Sequence, residues 1–347
     1  MLSALFQLTP ALSRVLITSV VLGFLAGSFG VFIVLKKQAL VGDAIAHSAL
    51  PGVVLTFIIF QSKSLEILLI GAALSGFLSI LIFNFIKKYS KIKNDATLAI
   101  LLAGFFGFGR MLLSLVQRSN NAGAAGLESF IFGQAATILL KDMYLTITTA
   151  VLVNVVIMLF WKELKIHIFN PEYFKSLGFN SRFLDIIFSI LIVIVVVSGI
   201  HMVGVVLISA LLVAPAVAAR QWHHKFSINY LLAGIIGSVS GFMGVLLADH
   251  LNLPPGPMII VVLSVITILS LLLSKKGIII KTINNIKYHY YVKKYVDLIR
   301  FYHSEEVADD KLNKLFEQKY LNKIDDKYYL SDLGIEKVNL IIGDNHD

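Results

Sequence analysis

The chain has 347 residues, 57% of them hydrophobic and only 15% charged, with a mean hydropathy of +0.82; a soluble domain carries roughly 25% charged residues, so most of this chain is not soluble and globular. The net charge of +9 does not point to nucleic acid, because the excess of bases sits between apolar runs, where the positive-inside rule places it. The absence of cysteine excludes disulfides, iron–sulfur clusters and thiolate metal sites, leaving His, Asp, Glu, backbone carbonyls and water as the only metal ligands.

Charge divides the chain in two. Residues 275–347 hold 13 of the 30 Lys and Arg and 12 of the 21 Asp and Glu. The pattern predicts a transmembrane domain over 1–277 and a polar C-terminal extension over 278–347. Met1 to Pro10 lacks a basic leader-like region, and the apolar run after Arg14 is long enough to span, so no cleaved signal peptide is expected.

A helix needs about 20 apolar residues to cross the hydrocarbon core. Runs of that kind fall near 14–36, 41–60, 66–86, 97–116, 142–161, 183–200, 203–220, 228–249 and 257–274, which predicts an all-α polytopic membrane protein of about nine spans. Around Gly199-Ile200-His201 one apolar stretch of roughly 35 residues reads either as two short helices, the sixth and seventh, or as one long tilted helix. Leu127–Leu140 is apolar but short, and reads as a re-entrant or interfacial helix. Bases cluster in alternate loops, at Lys36-Lys37, Lys87 to Lys93, Lys162 to Arg182, Arg220 to Lys225 and Lys275-Lys276. With nine crossings these loops share one face, which is expected to be cytoplasmic together with the C-terminus. Gly23-x-x-x-Gly27 and Gly237-x-x-x-Gly241 each put two glycines on one helix face, for close packing within the chain.

The second run carries the most informative residues, in Val41-Gly42-Asp43-Ala44-Ile45-Ala46-His47-Ser48-Ala49-Leu50-Pro51-Gly52. Asp43 and His47 are four apart and share a helix face. A carboxylate beside an imidazole suits a divalent cation of the manganese, iron and zinc group. Pro51 has no N–H for the His47 carbonyl, which adds a possible oxygen ligand. The plainer reading makes Asp43 a helix cap and His47 a hydrogen-bonded neighbour, and spacing alone leans that way.

This string resembles the signature of the ABC-3 family of metal-importing permeases. Phe169-Asn170-Pro171-Glu172-Tyr173-Phe174-Lys175-Ser176-Leu177-Gly178 resembles the family's cytoplasmic coupling segment, and 203–220 a small-residue span typical of it. The resemblance covers residues 10–275 and implies a type II ABC importer-like fold in a bacterial inner membrane. It implies a cargo of Mn2+, Zn2+ or Fe2+ held by Asp43 and His47, with no resident cofactor. It implies an ATP-binding cassette subunit docking on Pro171, Glu172, Phe174, Leu177 and Gly178, an extracytoplasmic metal-binding protein, and a second permease copy. Pro171 and Gly178 also read, on their own chemistry, as the start and stop of a short helix. No G-x-x-x-x-G-K-[ST] occurs, so ATP hydrolysis belongs to a separate subunit.

Other polar residues are weaker candidates. Asp249 and His250 end a span on the predicted outer face and could receive metal; there, as for His201 and Glu128, a solvated loop residue is the plainer reading. Arg110 lies among apolar residues and must snorkel, pair or face water. His223-His224 falls in a basic loop and reads as topology. In the extension, Tyr288–Tyr302 and Leu312–Tyr320 read as helices, 321–330 as two strands around Asp325-Asp326, and Asp332–Ile342 as a last helix capped by Ser331. That order resembles a small α+β winged helix, but the near-balance of charge argues against DNA. A permease for siderophore or vitamin B12 chelates, an ATPase-independent channel or carrier, and a membrane enzyme are the rival readings; the last lacks a nucleophile-and-base constellation.

Overall fold

The computed structural model describes residues 9–118, 133, 138–274, 277–303, 305–324 and 327–343. They form two compact units, one up to Leu271 and one from Leu272 onward.

The first unit is a helical bundle. Its long helices are α1 (Pro10–Leu35), α2 (Val41–Phe60), α3 (Leu65–Tyr89), α4 (Asn94–Arg118) and α5 (Leu140–Leu159). Two short helices follow, α6 (Trp161–Phe169) and α7 (Pro171–Ser176), then α8 (Ser181–Val203), α9 (Val205–Trp222), α10 (Phe226–Leu251) and α11 (Pro255–Leu273). Eight of these are long and apolar enough to cross a membrane, and α9 is the shorter apolar one. Each of the nine expected spans thus falls on a helix among the described residues, and eight of those helices have the length and apolarity to cross.

Local chemistry sets the ends. At α1 the Thr9 hydroxyl accepts from the Leu12 amide at 3.2 Å, and Pro10 takes the first helical position, where its missing N–H costs nothing. Between α8 and α9 the division falls at Gly204 rather than at Gly199-Ile200-His201. Apolar residues through Val203 keep α8 helical, and Gly204 takes φ 85°, a conformation that glycine adopts without strain.

α1 is the central helix, lying along α10 and against α9 and α5. The glycines make this possible. Gly23 faces the backbone of Gly237, Gly27 faces Ala233 and Gly241 faces Ser19, while the Ser238 hydroxyl donates to the Val20 carbonyl at 3.1 Å. Both glycine pairs are therefore used within the chain, where small residues let helix backbones approach. α2 packs on α3 and α4, and α3 on α8. An aromatic cluster of Phe29, Phe32, Trp161, Phe188, Phe226 and Tyr230 locks α1, α6, α8 and α10 together at one end.

The second unit holds α12 (Ile278–Lys294), α13 (Val296–Tyr302), α14 (Asp309–Glu317), strands β1 (Leu321–Ile324) and β2 (Lys327–Leu330), and α15 (Asp332–Gly343). The strands pair antiparallel, Leu321 opposite Leu330 and Ile324 opposite Lys327. Leu298, Leu315, Leu321 and Val338 form its small core. The first helix starts ten residues earlier than Tyr288 and is interrupted at Tyr295; the next ends at Glu317. Ser331 caps α15 as expected, its hydroxyl accepting from the Gly334 amide at 3.1 Å. The likeness to a winged helix rests on this order of elements alone. Lys275, Lys276, Asp325, Asp326, Glu128 and most of Leu127–Leu140 lie outside the described residues.

Candidate metal site and coupling segment

Asp43 and His47 occupy the first two turns of α2, both half-buried. Asp43 does not cap the helix. The cap position is Leu40, and no side chain bonds to the free amides there. The Asp43 carboxylate instead lies within electrostatic reach of the imidazole. His47 meets the ring of Phe106 on α4 edge-on, with centroids 4.9 Å apart. Its Nδ1 is buried and has no hydrogen-bond partner among the described residues. A buried, unsatisfied ring nitrogen is costly unless something binds it. Beside it is a crevice lined by His47, Leu50, Val53, Phe106, Ile200 and Val205, with a volume of about 10 Å³, the space of a single water.

Charge reading places Asp43 near the cytoplasmic end of its span. The packing places the pair deeper. Gly30 of α1 and Gly42 of α2 both flank Leu212 of α9, so α2 begins level with a point about 7.5 Å inside the end of α1, at 1.5 Å per residue. One turn on, between Asp43 and His47, Ile45 packs on Gly76. Gly76 also faces Val193, and these two residues lie midway along α3 and α8. The same level is pinned by Ser48 and Ser79, whose hydroxyls are 2.9 Å apart, and by Ser75, which donates to the Ser48 carbonyl at 2.6 Å. The helix runs unbroken through Pro51. Gly109 of α4 presses against Leu50 and Pro51, where a Cβ would come within 2.9 Å of the proline ring.

The predicted coupling segment forms a short helix. Pro171 begins α7, the Asn170 side chain accepts from the Tyr173 amide at 3.0 Å, and Gly178 follows with φ 83°. Phe174 points inward and is 1% exposed, with its ring 5.3 Å from that of His167 and stacked on Phe179 at 5.0 Å. Glu172, Tyr173, Leu177 and Gly178 are exposed. One side chain thus anchors the turn while its neighbours stay free.

Asp185, near the start of α8, joins this segment to α1. Its Oδ1 accepts from Lys36 Nζ at 2.9 Å and lies 2.9 Å from His167 Nε2. The Lys36 ammonium also sits over the Phe188 ring, 4.4 Å from its centre. Burial pushes Lys36 below the ordinary lysine range, and the Asp185 carboxylate offsets part of that shift. Around this junction opens a basin of about 750 Å³ lined by Lys36, Lys37, Lys87, Lys88, Lys175 and Arg182 among others. Bases from three separate loops therefore meet at one end of the bundle, as their alternation predicts.

The model of the ABC 3 transport family matches residues 9–274. The chain belongs to that family. Membership makes it a multi-pass membrane permease subunit and not an enzyme. Among its relatives, the zinc transport system membrane protein TroC of Treponema pallidum is 43% identical over 270 residues, covering 77% of this chain and 91% of that one. The manganese transport system membrane protein MntC of Bacillus subtilis is 38% identical over 276 residues, covering 79% of this chain and 63% of the longer relative. The solved structure of PsaBC from Streptococcus pneumoniae in complex with Fab superposes with a TM-score of 0.68 at 28% identity, over 80% of this chain and 97% of that one. The family match ends at residue 274, so all of the second unit beyond residue 274 lies outside it.

Within this family member the remaining candidates separate. Asp249 lines a crevice of about 250 Å³ with Thr9, Leu12 and Pro255 at the end of the bundle opposite the basic basin, and His250 beside it is exposed but not part of the crevice. Neither is brought near Asp43 or His47. Among the described residues, no cluster of three or more His, Asp or Glu forms. His223 is used locally, its Nδ1 accepting from the Lys225 amide at 2.9 Å. The sequence reading missed Asp185 and His167. An acid five residues into a very apolar helix was the available signal, but its partners lie 149 and 18 residues away.

Proposed function

We propose that this chain is the permease subunit of an ATP-driven importer for a divalent transition metal (manganese, zinc or iron(II)) in the bacterial cytoplasmic membrane, with its C-terminus inside. The observation that carries the reading is the Asp43/His47 pair, a carboxylate and an unsatisfied imidazole midway along the bundle. Carboxylate and imidazole suit these cations, and the names of the zinc and manganese relatives agree. A siderophore or corrinoid chelate would call for a wide apolar channel, not a pair of metal ligands.

Two ligands do not complete a coordination sphere. A second permease copy would bring a second Asp43/His47 pair to the pathway and raise the ligand number to four. α4 favours such a pairing. Its most apolar stretch is largely exposed, and Gly104 and Gly107 have no neighbour among the described residues within 4 Å of where a Cβ would stand. The exposure of so long an apolar stretch, with two glycines that a second backbone could approach closely, suits pairing with the second copy. An ATP-binding cassette subunit docks on the exposed residues of α7, and an extracytoplasmic metal-binding protein delivers the ion at the Asp249 and His250 end. Movement of α7 reaches α1 through Phe174, His167, Asp185 and Lys36, and so reaches the turn that leads into α2.

Metal accumulation in cells carrying His47→Ala tests the cargo reading. Loss of accumulation with normal membrane expression is expected; unchanged accumulation overturns it.

A further inference from the structure

Helix α12 begins five residues after the last residue of α11. A chain of that length reaches at most about 18 Å, so the start of α12 is tethered close to the end of the last span. Its sequence, Ile278–Lys294, contains Lys281, Lys287, Lys293 and Lys294 and no Asp or Glu. Ile279, Ile283, Ile286 and Tyr290 are spaced four, three and four apart, which places them on one helix face. All four are exposed, Ile286 and Tyr290 at 64% each. By the same 100° geometry, Lys287, Lys293 and Lys294 flank this stripe, while Thr282, Asn285 and His289 lie away from its centre. Among the described residues, none of the four stripe residues belongs to the module's small core or packs against it. Lys337 of α15 approaches α12 at Tyr291, 5.9 Å from the ring centre and about a third of a turn from the stripe.

We propose that α12 is an interfacial anchor, lying in the plane of an anionic membrane surface with Ile279, Ile283, Ile286 and Tyr290 among the acyl chains. The flanking lysines then reach outward to lipid phosphates, keeping their stems in apolar surroundings. Charge complementarity selects anionic headgroups, and continuity with the last span supplies the surface. This assignment needs only that α11 spans the membrane, and is independent of the cargo.

The chain's lack of cysteine allows a direct test. The full chain carrying Ile286→Cys or Asn285→Cys, each with a nitroxide label, is reconstituted in nanodiscs of phosphatidylcholine with or without phosphatidylglycerol. Collision with oxygen, which partitions into lipid, is compared with collision with a water-soluble nickel chelate. The label at 286 is expected to favour oxygen several-fold over that at 285, and more so with phosphatidylglycerol. Equal preference for the nickel chelate at both positions overturns the proposal, because the stripe then faces water. An immobile label at 286 shielded from both reagents also overturns it, because a protein surface then covers the stripe.

Discussion

His47 has a buried ring nitrogen with no hydrogen-bond partner among the described residues and lines a space that holds one small species, and the Asp43 carboxylate is within electrostatic reach of its ring. Losing one of so few ligands is expected to cost about tenfold or more in metal affinity, since even indirect ligand supports are worth ~10–100-fold. Asp43→Asn keeps the shape but removes the charge, and should lower uptake without lowering expression in membranes. Asp185 makes a different prediction. Lys36 is only 14% exposed on its side chain, and Asp185 neutralises it while holding His167. Asp185→Ala is expected to lower stability by about 1–3 kcal/mol, at the lower end of buried pairs because the carboxylate itself is half-exposed. Thermal unfolding in detergent measures that. In the assembled transporter the same variant should hydrolyse ATP with less metal moved per turnover, and Asp185→Glu should restore part of the yield. That Asp43 and His47 are neighbours was legible in the sequence, because residues four apart share a helix face; their reading as ligands came only with the family resemblance. The Asp185 junction was not legible, because its three partners come from separate elements and meet only when α1, α6 and α8 are packed.

At the scale of helices, glycines decide which faces touch. Gly23 and Gly237 meet backbone to backbone, whereas Gly104 has no neighbour among the described residues within 4 Å of where a Cβ would stand. Gly237→Val therefore forces α1 and α10 apart, at a cost of about 1–3 kcal/mol or more, and should reduce the recovered folded protein on size exclusion. Gly104→Val should leave the fold and its recovery intact and act only on pairing with the second copy. The spans themselves were legible, since an apolar run of the required length has few other uses. Their depth was not. Hydropathy reports the length of a run and not where the backbone turns, so α2 reads as starting at the surface although Gly30 and Gly42 bracket the same leucine. The α8–α9 boundary was blurred for a similar reason. Gly199 and Gly204 are equally plausible breaks by composition, and only Gly204 takes a positive φ.

Over the whole molecule, a family-wide permease is followed by a unit with its own core, Leu298, Leu315, Leu321 and Val338. Leu298→Ala is expected to destabilise that unit by about 2–4 kcal/mol. Amide exchange should then speed up in α13 to α15 and stay unchanged in α1 and α10. In the function proposed for the first unit, a transition metal passes between the bundle's helices at Asp43 and His47. Crystals of the assembled transporter grown with manganese or zinc test it most directly, through the anomalous signal at the metal's absorption edge. A peak between the Asp43 carboxylate and the His47 imidazole, lost in His47→Ala, is the predicted result. A metal peak elsewhere in the membrane region, with none between these two side chains, would contradict it.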